Sequence, residues 1–305
     1  MIKLKNFLIP LLIMACAFQA QAQTQTDDAN LYFGLKTPGN NPEVFGTGLI
    51  SMEDRNEFGS TFSKDGKEFF FAVDFDGRNE IYYAQLVDGK WVEPVVILKH
   101  EVYGYNDPIL DPDEQRLYFI SNHPVSGTQK NEDIDIWYVE RQKNGWSDPI
   151  NAGPNINSEK NEYYMSFTAD GAMYFSSNIL TTQERYWDYE IYKSEWKNDA
   201  FQKAERLPKE VNTGRYEADV YVAPDESYII YCAARADSYG KGDLYINFKD
   251  ENGKWLPSQH LEGPISTESH DLCPFVTHDG KYFFYTSDQD IYWVSTDFLE
   301  KYRPK

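Results

Sequence analysis

Cysteine, histidine, positive charge and helical periodicity are all scarce in this sequence. Three cysteines in 305 residues exclude a disulfide-built scaffold. Two of them, Cys232 and Cys273, fall in apolar stretches and are expected as buried free thiols rather than a bridge. The five histidines (His100, His123, His260, His270, His278) stand at no metal-ligand spacing. Lysine and arginine total 29 against 49 acids, a net charge of −20. Such a surface repels phosphate backbones and anionic lipid, which excludes nucleic acid as a partner. No apolar run reaches the ~20 residues of a membrane-spanning helix. Nucleophile-elbow, phosphate-loop and paired-histidine motifs are missing as well.

What is present begins with an export signal. Lys3 and Lys5 precede the apolar run FLIPLLIMACAF, and Ala20-Gln21-Ala22 follows it. A positive start, a short hydrophobic core and an A-x-A site make a secretory signal peptide, so residues 1–22 are expected to be removed. The product would be secreted or periplasmic. Ile13-Met14-Ala15-Cys16 leaves lipid anchoring at Cys16 as the alternative. Residues 23–41 read as an extension, and 42–305 as one domain.

That domain repeats itself. FSKDGKEFFFAV, LDPDEQRLYFIS, FTADGAMYFSSN, VAPDESYIIYCA and VTHDGKYFFYTS share a strand–turn–strand pattern, with turn aspartates at Asp65, Asp113, Asp170, Asp225 and Asp279. The intervals are 48, 57, 55 and 54 residues, a period that marks a repeat architecture. An acid-aliphatic-aromatic triplet follows each turn, from Glu80-Ile81-Tyr82 to Asp290-Ile291-Tyr292. A second turn and an aromatic (Trp91, Trp146, Phe201, Trp255) complete four units. Four short antiparallel strands in about 50 residues is the size of a propeller blade. The fifth unit runs out before its fourth strand, and PEVFGTGLI at 42–50 resembles the missing piece. The chain is therefore all-β, a five-bladed propeller closed by its N-terminal strand, with six blades the alternative. A closed ring leaves no sheet edge exposed.

The units resemble the WD40-like propeller repeat of TolB-type proteins, whose core reads P-x-(F/L)-S-P-D-G-K-x-(L/I)-(Y/F)-(F/V)-x-S followed by (D/E)-I-(Y/W). It is matched by Phe62 to Lys67, Pro108 to Ser121 and Pro274 to Ser287. The resemblance implies envelope or periplasmic partners, often proteins, and aromatic-rich loops are equally compatible with a glycan. The chain is expected to be an exported, non-catalytic binding or scaffolding module for a protein or glycan partner in the cell envelope, acting as a monomer. The rival class is a glycoside hydrolase or polysaccharide lyase, which needs carboxylates from different blades in the central funnel.

Two groups of residues are candidates for chemistry. Glu57, Glu162, Glu217 and Asp271 each stand eight residues before a turn aspartate, at the start of the strand nearest the axis. Such a ring could hold a hard cation such as Ca2+, or each acid could bond backbone N–H groups of a neighbouring blade. The second group lies in loops that break the repeat: SNHPVSGTQKNEDID (121–135), SNILTTQERYWDYE (177–190) and AARADSYGKGD (233–243). They emerge on one face of the disc, where Arg185, Tyr186, Trp187, Arg235 and Tyr239 are the candidate contacts.

Overall fold

The computed structural model describes residues 30–75, 77–127, 131–182 and 187–305. Residues 1–22, read as a signal peptide, and residues 23–29 of the extension lie outside the described residues. Among the described residues, no helix is long and apolar enough to cross a membrane.

Five antiparallel sheets form the blades of a propeller. The innermost strands are Asn56–Phe62, Tyr105–Leu110, Glu162–Phe167, Tyr216–Val222 and Leu272–Val276. Each turns through its repeated aspartate into a second strand whose residues are almost all buried, such as Arg116–Ser121 and Met173–Ser177. The aspartates are turn formers. Asp65, Asp113, Asp225 and Asp279 each accept from the backbone N–H two residues on. Burial on both faces explains the unbroken apolar runs, since neighbouring blades cover both sides.

Ring closure follows the expected route. Glu43–Val44 pairs with Asp290–Ser295, setting Glu43 opposite Trp293 and Val44 opposite Tyr292. One element is more broken than the repeat suggests. In blade 1 Trp91 pairs back on Leu86, but the outer strand resumes only at Val95–Leu98. Pro94 lies in the gap, as Pro149 and Pro257 do in blades 2 and 4, and a proline offers no N–H to the ladder.

The first and last described segments serve as packing. Tyr32 and Phe33 lie across the junction of blades 5 and 1 in a short 3-10 turn, and Thr296–Tyr302 forms another that bridges blades 4 and 5. Cys232 and Cys273 are free and buried, and burial raises both thiols well above their ordinary range.

Candidate functional site

The four ring acids are fully buried, and their neighbours repeat. The backbone N–H of Glu57, Glu162, Glu217 and Asp271 donates to the carbonyl of Gln289, Ile134, Tyr189 and Gly242, each in the preceding blade, at 2.8–3.0 Å. Each carboxylate turns back to the loop leading into its own strand. Glu162 accepts from the Ser158 hydroxyl at 2.6 Å and the Ser177 hydroxyl at 2.7 Å. Asp271 accepts from the Thr267 N–H and hydroxyl at 2.7 and 2.9 Å, and Glu217 from the Thr213 hydroxyl. Glu57 takes the Arg55 guanidinium at 2.6 Å. The backbone N–H of each acid thus ties one blade to the next, while its carboxylate, expected to bond N–H groups of the neighbouring blade, bonds within its own. Among the described residues no three His, Cys, Asp or Glu side chains converge to hold a metal ion. Burial outweighs these bonds and pushes the Glu57 and Glu162 carboxyls up to about 7.

Nearest the axis stands a set of residues that the repeat pattern did not single out. Each innermost strand carries a bulge, centred on Gly59, Asp107, Tyr164, Asp219 and Cys273. All five have positive φ, between 33° and 53°. The bulge turns one residue per blade inward, a side chain in four blades and Gly59 in blade 1. Asp107 and Asp219 are 4 % and 8 % exposed. The Cys273 thiol lies 3.5 Å from Asp107 Oδ1, and the Tyr164 hydroxyl donates to the Pro274 carbonyl at 2.9 Å. Burial pushes Asp107 up to about 7 and Asp219 up to about 8, the Asp107 charge adding to the latter. Asp107 stands out of step with the ring acids because Tyr105 occupies the ring position in blade 2. That was its one signal in the sequence.

On the turn side the axis ends in a small cavity of about 80 Å3 to which all five blades contribute, including Thr61, Ile109, Tyr164, Tyr221 and Phe275. It is mostly apolar, and neither axial aspartate lines it.

The loop face differs in character. Trp187 and Tyr239 are 63 % and 66 % exposed, and the same three loops expose Val125, Ile179 and Leu180. Arg185 and Tyr186 lie outside the described residues. Arg235, expected to point outward, turns inward instead. Its guanidinium lies 4.5 Å from the Tyr245 ring centroid, donates to the Tyr231 hydroxyl and the Val211 carbonyl, and pairs with Glu217 at 3.3 Å. The pull comes from the buried carboxylate, which would otherwise face no cation. Arg235→Met should therefore destabilise the protein by about 3 kcal/mol, the cost of stranding one member of a buried pair. Urea unfolding at pH 7 checks this, and Arg235→Lys should recover part of the loss.

No family model and no curated protein matches the chain. Solved structures do. The chain is similar to TolB from Acinetobacter baumannii with a TM-score of 0.51 at 15 % identity, over 81 % of this chain and 56 % of that one. It is similar to a protein of unknown function from Dyadobacter fermentans with a TM-score of 0.50 at 14 % identity, over 85 % and 84 % of the two chains. A chain of a nidogen–laminin complex matches with a TM-score of 0.50 at 12 % identity, over 78 % and 74 %. This chain thus spans little more than half of the TolB chain. At these identities the shared property is architecture, and the fold is that of a TolB-like five-bladed β-propeller.

Proposed function

We propose that the protein is an exported, non-catalytic binding module whose loop face holds a protein partner in the cell envelope. One observation carries this reading. Among the described residues the only two exposed aromatic side chains, Trp187 and Tyr239, stand with Val125 and Leu180 on one face, in the loops of three consecutive blades. Apolar side chains grouped over a rigid scaffold mark a recognition surface. The export signal in residues 1–22 supports the compartment. The glycosidase alternative draws less support, because the two axial carboxylates are closed off from the turn-side cavity.

The test uses immobilised mature protein and a solubilised envelope fraction from the native host. A retained partner should bind about tenfold more weakly to the Leu180→Ser, Trp187→Ser, Tyr239→Ser triple variant, since clustered anchors carry most binding energy. A turn-side control, Lys67→Ser, should bind like the wild type. Equal retention by the triple variant sinks the loop-face assignment. A melting-temperature rise with oligosaccharides, absent in that variant, would assign the face to a glycan instead.

A further inference from the structure

The five seams between blades are not closed alike on the turn side. At the seam of blades 1 and 2, Arg141 forks onto Glu68 with both contacts at 2.9 Å. At blades 3 and 4, Lys193 and Lys249 share Glu226 at 2.5 and 2.6 Å. The C-terminal turn covers the seam of blades 4 and 5, with Phe298 against Phe283 and the Tyr302 carbonyl accepting from Gln259.

The seam of blades 5 and 1 is closed by the N-terminal segment. Tyr32 packs edge-on against Phe62 and Tyr282 at 5.2 and 5.0 Å, and Phe33 stacks on Trp91 at 4.0 Å. The Asn30 carbonyl accepts from Trp91 Nε1 at 2.8 Å. Leu31 covers the turn glycine Gly66, its Cδ2 3.3 Å from where a Cβ would stand.

Strand register maps that site onto the seam of blades 2 and 3. Tyr282 faces Ser295 as Arg116 faces Glu140, so Arg116 stands for Tyr282. Phe62 faces Phe69 as Phe167 faces Met173. Trp91 faces Leu86 as Phe201 faces Trp196. Trp196 lies over Gly171, the place Leu31 takes over Gly66. The positions matching Tyr32 and Phe33 form an open groove of about 630 Å3, lined by Arg116, Phe167 and Phe201 among others. That volume suits a small ligand or a few residues of peptide.

We propose that this groove is a docking site for a short turn-forming segment of a partner protein bearing two adjacent aromatic residues flanked by lysine or arginine. The chain's own Tyr32-Phe33 pair shows what fills the equivalent space. The Arg116 guanidinium lies 4.9 Å from the Tyr138 ring and 5.7 Å from Trp196, which leaves a flat cationic surface beside the aromatic wall. Five acids and two arginines line the groove. Both arginines are already paired, with Glu140 and Glu68, so the remaining field favours cationic flanks. The site lies across the disc from the loop face and stands or falls independently of it.

The test is 19F NMR on the full mature chain labelled with 5-fluorotryptophan, titrated with the peptide Lys-Leu-Tyr-Phe-Gly-Leu-Lys. Trp196 reports on the groove and Trp91 on the filled seam, their signals assigned from Trp196→Phe and Trp91→Phe. Saturable binding with a Kd on the order of 100 μM that moves Trp196 and leaves Trp91 in place is expected. Phe201→Ala should weaken it about tenfold, and serine at both peptide aromatics should abolish it. A shift at Trp91 instead, an affinity unchanged by Phe201→Ala, or no binding at millimolar peptide overturns the proposal. Self-association of the unliganded chain that Phe201→Ala removes would make a second copy the occupant and equally overturn it.

Discussion

Gly59→Val should lower stability by about 4 kcal/mol, combining the cost of a β-branched residue at positive φ with overpacking. Gly59 has φ 48°, and a Cβ there would stand 2.5 Å from Asp107 Oδ1 and 3.0 Å from its Cα. The first neighbour could move; the second is backbone. The other four bulges carry a side chain at the same place, so the ring has room for four inward side chains and not for five. Gly253→Ala separates the two costs. Gly253 also has positive φ, 75°, but nothing lies within 4 Å of its Cβ position, so its loss should stay near 1 kcal/mol. Urea denaturation of both variants checks the pair. Equal losses would mean that backbone conformation, not crowding at the axis, sets the requirement for glycine.

This contrast also shows which part of the molecule the sequence could reveal. The blades were legible because their information is local: a turn aspartate, flanking apolar strands and a triplet, written five times at nearly constant spacing. The closing strand was legible because Pro42-Glu43-Val44 resembles the outer strand of other units. The partners of the ring acids were nearly so, since Ser158, Thr213 and Thr267 each precede their acid by four residues. The axial set was not. Asp107 and Asp219 are 112 positions apart in the chain and share a neighbourhood only because the ring closes. Arg235 misled for a related reason. Its loop position suggested solvent, and nothing local shows that a buried Glu217 lies within reach. The aromatic extension around Tyr32 had no repeat to be compared with, so its role as a seam filler appears only in three dimensions.

The second large effect is a pH dependence. Asp107 and Asp219 titrate near 7 and 8 in the folded protein, against an ordinary value of 3.8. Between those limits the unfolded chain releases both protons while the folded chain keeps them. Stability is therefore fully present below about pH 4, falls as pH rises through 7 and 8, and is level above that. Asp107→Asn with Asp219→Asn removes this loss. Asparagine tolerates the positive φ at both positions, 52° in each, and has no charge to desolvate. The double variant should be more stable than the wild type by on the order of 5 kcal/mol at pH 8.5, with the difference vanishing near pH 4. Some slope should remain in the variant, because Glu57 and Glu162 are also held near 7 and act with the same sign. Urea unfolding across pH 4 to 9 measures both curves. Parallel curves would show that the axial carboxyls ionise normally and that the axis is solvated, which would return these two acids to the field as accessible funnel carboxylates.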